Sequence, residues 1–300
     1  MNKISLMKPS SQYNVRSTSF PARSHPTTLR IEEEINKLRS LEGVSSSTVS
    51  TVLSGLAELY ACMGDLLSLP LTQQGLSQHH HEKWVNELLD GTLRYLDICG
   101  NTRDSVLLTK ESVRELQSVL RRSMAGERSI EDNVRDYTCS RKNMKKEIAK
   151  SMALLKQMEN RIGEQSPPLE QSHHLSFLVR VLREASLITI STLRSLLLFL
   201  SPSLMKPKGT KWLLISKLVR KGMVLGEGRK DMNELQSAKV AVGNLTFPNA
   251  SEDIEAEKIE SALEKLEALD GVIEDFEDGL ELLFRCLIHC RVSLLNIISN

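Results

Sequence analysis

The side chains that could carry chemistry in this sequence are histidines and cysteines. Histidines are adjacent at positions 79–81 and 173–174. Adjacent side chains on a helix point in different directions, so neither run brings its imidazoles onto one metal ion. Cys286, His289 and Cys290 have the spacing of one helical face, where three soft ligands could converge. Cys290 also falls on an apolar seam, and free cysteine is often buried. We predict core packing and no metal site, with metal or redox chemistry as the alternative.

Motifs for catalysis are absent from the sequence. It contains no GxxxxGK[ST], HExxH or GxSxG pattern, and the glycines at 226–228 follow no strand pattern, as a dinucleotide site requires. Carboxylates are abundant at 252–281, but none lies in an apolar context suited to general acid–base work. We expect no enzyme activity, catalytic residue, cofactor or small-molecule substrate. The alternative is an enzyme with its site in the core, which requires an internal pocket with converging polar groups.

One short motif near the N-terminus has a defined mechanism. Arg16, Ser19 and Pro21 fit the RSxSxP pattern that 14-3-3 proteins bind when the second serine is phosphorylated. The motif lies in residues 1–28, a basic segment rich in Ser and Arg, without Asp or Glu. Such a segment buries too little apolar surface to fold, so we predict a disordered, phosphorylatable tail. Because a transit peptide has the same composition, the tail is either a solvated segment or a plastid address.

Composition limits the compartment and the class of partner. The five cysteines are an odd, dispersed set without a CxxC motif, which is typical of reduced thiols in the cytoplasm. A formal net charge of +1 and an aromatic content of 4% disfavour a basic nucleic-acid coat and a base-stacking surface. We therefore expect a cytoplasmic protein, or a plastid protein if the tail is an address, and no nucleic-acid partner.

Apolar residues recur every three or four positions from residue 29 onward, which is the period of amphipathic helices. The clearest helix is 252–299, where twelve apolar positions form a near-heptad seam typical of a coiled coil. No segment alternates as a strand does. The sequence predicts an all-α fold, an elongated antiparallel bundle of five to six long helices in one domain at 29–300.

Four segments depart from the long-helix pattern. We predict a polar connection at 71–81, a short helical piece at 211–221 and a flexible loop near 222–250 that contains several glycines. Residues 185–205 are apolar enough to suggest a membrane span, but Arg194 interrupts them. Because a charge at mid-span is costly, a buried bundle helix is favoured, and contact with a membrane surface stays an alternative.

Charge is distributed unevenly along the chain. Residues 252–281 hold thirteen acids and two bases, a balance of −11, whereas residues 135–161 hold eight bases and three acids, a balance of +5. One interpretation is two solvated faces, or two neighbouring helices that neutralise each other. The alternative is a basic patch at 135–161 for a phospholipid surface or an acidic partner.

Several stretches together resemble a plant-specific family, the BYPASS-like proteins. The opening YNVRSTSFPARSHP (13–26) is followed by EEEINKLRS, and DFEDGLELLFRCLIHCRVSLLNIIS (275–299) resembles the family's closing motif. The resemblance covers nearly the whole chain and is weakest at 201–255. Between the two ends it continues through LSLPLTQQGLSQ (67–78), KWVNELLDGTLRYLDIC (83–99), TKESVRELQSVLRRS (109–123) and SRKNMKKEIAK (140–150).

The resemblance implies a land-plant protein without known enzymatic activity. It implies a role in root and shoot development, through protein interaction or restraint of a mobile signal that arrests shoot growth. It supplies no catalytic or ligand-binding residue. A membrane-peripheral or trafficking adaptor is the alternative function, since the chain has the apolar segment at 175–200 and the basic segment at 135–161.

Overall fold

The described part of the chain forms eight helices and no strand. The structure is a computed structural model, and it describes residues 26–41, 45–124, 130–164, 173–201, 233–245 and 252–299. The all-α prediction is confirmed, and five of the helices have 22 to 48 residues. The helices are α1 (Pro26–Ser40), α2 (Ser46–Leu67), α3 (Pro70–Gln78), α4 (Lys83–Met124), α5 (Glu131–Glu164), α6 (His173–Leu200), α7 (Glu234–Asn244) and α8 (Glu252–Ser299).

The C-terminal helix α8 is the axis of the bundle. It packs most extensively against α4 and α2, and it also contacts α7 and α3. The predicted seam is its inward face, and Phe276 from that seam meets Phe199 of α6 edge to face, with ring centroids 5.0 Å apart. Eleven of the twelve seam positions are buried and Leu263 is partly buried; the eleven are Ile259, Leu266, Leu269, Ile273, Phe276, Leu280, Leu283, Leu287, Cys290, Leu294 and Ile297.

The helix pairs α1–α2, α4–α5 and α4–α8 run antiparallel, as predicted. In contrast, α1 and α6 run parallel, and so do α2 and α8. Leu53 of α2 lies against Gly279 of α8, and further along the same two helices Gly64 lies against His289. Residue numbers therefore rise together along this pair. The sequence could not predict this direction. The antiparallel expectation applies to helices joined by short connections, and α2 and α8 are far apart in the chain.

The predicted polar connection at 71–81 is wrong over most of its length, because residues 70–78 form the helix α3. Pro70 occupies the first helical turn, where its missing N–H costs nothing. Leu76 and Thr72 are fully buried, so the segment has a small inward face that its polar composition hides.

The predicted loop near 222–250 is also wrong in part, because residues 234–244 form the helix α7. The Asn233 side chain accepts a hydrogen bond from the Gln236 backbone N–H and caps the helix. Leu235, Ala238 and Val242 are spaced by three and four residues and are buried, and α7 packs against α8. Residues 222–232 and 246–250 lie outside the described residues, as does the predicted helical piece at 211–221.

Residues 185–200 of the apolar segment at 185–205 belong to α6, a buried bundle helix as predicted, and residues 202–205 lie outside the described residues. Leu193, Leu196, Leu197 and Phe199 are at most 1% exposed. Arg194 faces α5, where its guanidinium donates to both oxygens of Glu159 at 2.7 and 3.3 Å. Among the described residues, α8 alone is long and apolar enough to cross a membrane, and α2 with α3 would be a second, bent candidate.

The helix α1 begins at Pro26, three residues before the predicted start at 29. Its buried residues are Ile31, Ile35 and Leu38, at the spacing that the sequence predicted. Residues 1–25, which include most of the predicted disordered tail, lie outside the described residues.

Candidate interaction surfaces

The Cys286, His289 and Cys290 cluster is divided between core and surface. Cys290 is 1% exposed, and burial raises the pKa of its thiol to about 12. Cys286 is half-buried, and burial raises its pKa too. A metal needs the thiolate form, which burial disfavours at both sites. No group of three His, Cys, Asp or Glu side chains that could hold a metal occurs in the described ranges.

The clustered histidines make local hydrogen bonds. The Nδ1–H of His79 donates to the Gly75 carbonyl at 2.8 Å, and that of His80 donates to the Ser77 carbonyl at 2.6 Å. Both carbonyls belong to the last turn of α3, so these side chains satisfy helix-end acceptors. His174 Nε2 lies 2.8 Å from the hydroxyl of buried Thr72, which joins α6 to α3.

Cations of α4 pair with four carboxylates in the acidic half of α8 (residues 252–281). Lys110 of α4 reaches Glu277 at 2.7 Å and Glu274 at 3.4 Å, and Arg114 binds Asp270 and Glu274 at 3.0 and 2.5 Å. The hydrogen bonds from Arg114 and Lys110 lower the pKa of Glu274. This network runs antiparallel, since lower numbers on α4 meet higher numbers on α8 at Arg103 and Glu281.

The interpretation that the acidic and basic segments neutralise each other is therefore wrong. The helix α5 packs mainly against α4 and α6, and α4 lies between it and the acidic half of α8. Apart from Arg141, the cations of α5 are exposed to the solvent. One side of α4 contacts the acidic residues of α8, and another side contacts the basic helix α5.

Helix α5 has sharply separated inner and outer faces. Met144, Ile148 and Leu155 are buried towards the bundle. Five exposed lysines on the opposite side, which we call the lysine face, fall within an arc of about 140° at 100° per residue. The lysine face consists of Lys142, Lys145, Lys146, Lys150 and Lys156.

The lysine face is nearly free of carboxylates. Lys150 pairs with Glu147 at 2.8 Å, whereas no described carboxylate lies within 4 Å of the other four ammonium groups. Arg135 and Arg161 extend the exposed basic strip at its two ends, and Arg135 pairs with Asp132 at 3.3 Å. From Arg135 to Arg161 the strip is about 40 Å long at 1.5 Å per residue.

Arg141 is the cation of α5 that turns inward. Its guanidinium donates to the Leu200 carbonyl at 2.5 Å and to the Thr109 hydroxyl at 3.0 Å. Burial lowers the pKa of Arg141. The Leu200 carbonyl is at the C-terminal end of α6, where the helix dipole favours a positive charge. Arg141 therefore fastens α5 to α4 and α6, and it holds the lysine face outward.

An open cleft of about 960 Å³ lies between the first turns of α4, the end of α5 and the middle of α6. Trp84, Arg94 and Tyr95 line it from α4, Arg161 from α5, and Arg183 from α6. Sequence reasoning missed this cleft because three distant segments form it and no short motif marks them. Burial raises the pKa of Tyr95 to about 12.

The cleft lacks an activated nucleophile among its described residues. The Ser186 hydroxyl donates to the Leu182 carbonyl of its own helix at 2.8 Å. No lining histidine or cysteine is available as a base or nucleophile.

A row of apolar side chains is exposed near the C-terminal end of α8. Ile288, Val292 and Leu295 are 42%, 47% and 38% exposed and lie at i, i+4 and i+7 on one face. Together with the lysine face, this row gives the described surface two distinct regions. The candidate motif residues Arg16, Ser19 and Pro21 lie outside the described residues.

The comparison with known families identifies the chain. A family model described as Protein BPS1 matches residues 52–297, from the second turn of α2 to the last turn of α8. No curated protein and no solved structure matches it. The family match confirms the resemblance to BYPASS-like proteins, and the chain belongs to the BPS1 family.

Proposed function

We propose that this protein is a non-enzymatic interaction protein of root and shoot development, which acts on protein partners or restrains a mobile signal. Membership of the BPS1 family supports a role as a plant developmental protein. The observation that carries the proposal is that cations of one helix form hydrogen bonds and ion pairs with groups of another helix. Lys110, Arg114, Arg141 and Arg194 are all engaged in fastening one helix to another, so the inter-helix cations maintain a scaffold.

Exposed apolar groups support protein partners. Isolated apolar residues are normal on a protein surface, but a row on one helical face is typical of a binding surface. Ile288, Val292 and Leu295 form such a row on α8. Proximity labelling in root tissue, with the labelling enzyme fused to the C-terminus so that the N-terminal tail stays unmodified, should give a reproducible set of neighbours. Neighbours no different from those of the unfused labelling enzyme would contradict the proposal.

The tail contributes a regulated contact in this proposal. Phosphate on Ser19 adds charge and three acceptors for the arginine cluster of a 14-3-3 protein, with Arg16 and Pro21 completing the motif. A peptide phosphorylated at Ser19 should bind 14-3-3 more tightly than its unphosphorylated control. Equal affinities would remove 14-3-3 from the account. In this proposal the protein works in the cytoplasm, and import of the intact N-terminus into plastids would contradict that.

A second candidate function is a membrane-peripheral or trafficking adaptor. One observation favours it, namely that within the described residues the main neighbours of α5 are α4 and α6 and not the acidic helix α8, and the lysine face points away from the bundle. Fractionation of plant cells tests this candidate, because an adaptor of this kind should be recovered partly with membranes and be released by high salt. Recovery only in the membrane-free fraction would contradict it.

A further inference from the structure

We infer that the lysine face of α5 is a docking surface for a bilayer that contains anionic phospholipids, an inference that rests on the second candidate function. The helix lies at the edge of the bundle, fastened by Arg141 and by the Glu159–Arg194 ion pair. Its five lysines can approach one plane together, because they share one side of a single continuous helix. A bilayer is a partner that presents negative charge over a plane as long as the basic strip from Arg135 to Arg161.

The chemistry of the face favours lipid over protein. Protein interfaces are depleted in lysine and need apolar or aromatic anchors at their centre. On the outward side of α5 the only exposed large apolar side chain among the described residues is Leu154, at 41% exposure. Lysine is a flexible point charge, suited to diffuse attraction by a charged surface rather than to fixed bidentate recognition. A lipid headgroup layer requires only such attraction.

The same face disfavours single-stranded nucleic acid. Binding to single strands relies on aromatic side chains that stack on bases, and the only aromatic residue described on α5, Tyr137, is buried. The acidic half of α8 lies across α4 from the lysine face. An anionic membrane would therefore attract the lysine face and repel the acidic half of α8, so the protein would bind it in one orientation.

Flotation with vesicles tests the inference on the full-length protein. Vesicles of phosphatidylcholine with phosphatidylserine should carry the wild-type protein upward, and vesicles of phosphatidylcholine alone should not. The triple variant Lys142→Gln, Lys146→Gln and Lys150→Gln removes three charges from the lysine face. Each lysine near an anionic surface contributes a factor of about five, so the loss should be on the order of 100-fold. High salt should release the wild-type protein, since it shortens the screening length.

A matched control separates the lysine face from net charge. Lys37→Gln, Lys83→Gln and Lys239→Gln remove the same number of charges from α1, α4 and α7, where all three lysines are exposed. This control should float like the wild type, and circular dichroism should show that both variants keep their helices. Equal loss in both variants would mean that net charge, and not α5, drives binding, and would overturn the inference.

Other outcomes are also decisive. If the wild type floats and the lysine-face variant floats equally well, the adaptor function stands and the inference about α5 is wrong. If the wild type never floats, the second candidate function fails with it. If sedimentation without vesicles shows self-association that the triple variant abolishes, the partner of α5 is the acidic surface of another copy, and the inference is overturned.

Discussion

Leu53 of α2 packs directly against Gly279 of α8, the neighbouring parallel helix. A Cβ placed on Gly279 would lie 3.0 Å from Cβ and 3.3 Å from Cδ1 of Leu53, which is itself fully buried. Two groups at that distance must move apart. The Cβ of Leu53 has little freedom to move, because it is bonded directly to the backbone. The glycine thus permits the contact between α2 and α8, although glycine weakens a helix interior.

Two glycines of α8 should respond to alanine in opposite directions. Gly279→Ala should lower the free energy of unfolding by about 1–3 kcal/mol, because the new methyl group overpacks the contact with Leu53. Gly271→Ala should raise it by about 0.5–1 kcal/mol, since nothing lies within 4 Å and alanine is the better helix former. Urea denaturation followed by circular dichroism measures both. Stabilisation by both substitutions would show that α2 and α8 do not meet at this point.

Replacing Lys110 should destabilise the contact between α4 and α8. The Lys110 side chain is 19% exposed, and it lies between Glu274 and Glu277. Lys110→Met leaves these carboxylates without that cation and should lower the free energy of unfolding by about 1–3 kcal/mol. Lys83→Met is the control, because that side chain is 90% exposed and its pair with Glu87 should contribute less than about 0.5 kcal/mol. Equal effects in the two variants would contradict the network.

Acid should weaken the same contact through Glu274. Arg114 and Lys110 lower the pKa of this carboxyl in the folded protein. The stabilisation is therefore complete above the ordinary glutamate pKa of about 4.3, and it is lost as pH falls below that value through the folded-state pKa. Thermal unfolding from neutral pH down to about pH 3 should show a shallower loss for Glu274→Gln than for the wild type. The exposed Glu255 of the same helix supplies the control, and Glu255→Gln should follow the wild-type curve.

The five cysteines should label in an order set by burial. Cys139 is exposed, whereas burial raises the pKa of Cys99 and Cys290 to about 12. Because the thiolate reacts, a thiol reagent at neutral pH should modify Cys139 first, and it should modify Cys99 and Cys290 only after unfolding. Cys139→Ser should remove the fast phase. Protection of the partly exposed Cys286 by added zinc would instead support the metal alternative.

The spacing of apolar residues predicted the long helices, because each of them buries residues that lie three and four positions apart. The seam from Ile259 to Ile297 and the inward faces of α2 and α5 are buried where a spacing of three and four residues placed them. The prediction failed at α3 and α7, which are only 9 and 11 residues long. Each offers two or three inward residues, too few to stand out from a polar background, and each is a helix because α8 and its neighbours cover those residues.

Charge pattern alone could not assign partners to the two charged segments. The acids of α8 and the bases of α5 were both visible in the sequence, yet Lys110 and Arg114 of α4 bind the acids. These cations are two among many in a helix of mixed charge, so no local signal marks them. The cleft near Arg94 and Tyr95 was hidden for a related reason, because it exists only where α4, α5 and α6 meet.

The central claim is that this protein acts through its surfaces and not through a reaction in the cleft. The most direct measurement is rescue of root and shoot growth in plants that lack it, by a cleft variant with Arg94→Gln and Tyr95→Phe, two residues that line the cleft. At equal protein levels, the account predicts rescue as complete as that by the wild-type gene. A folded variant that accumulates normally but restores no growth would contradict it.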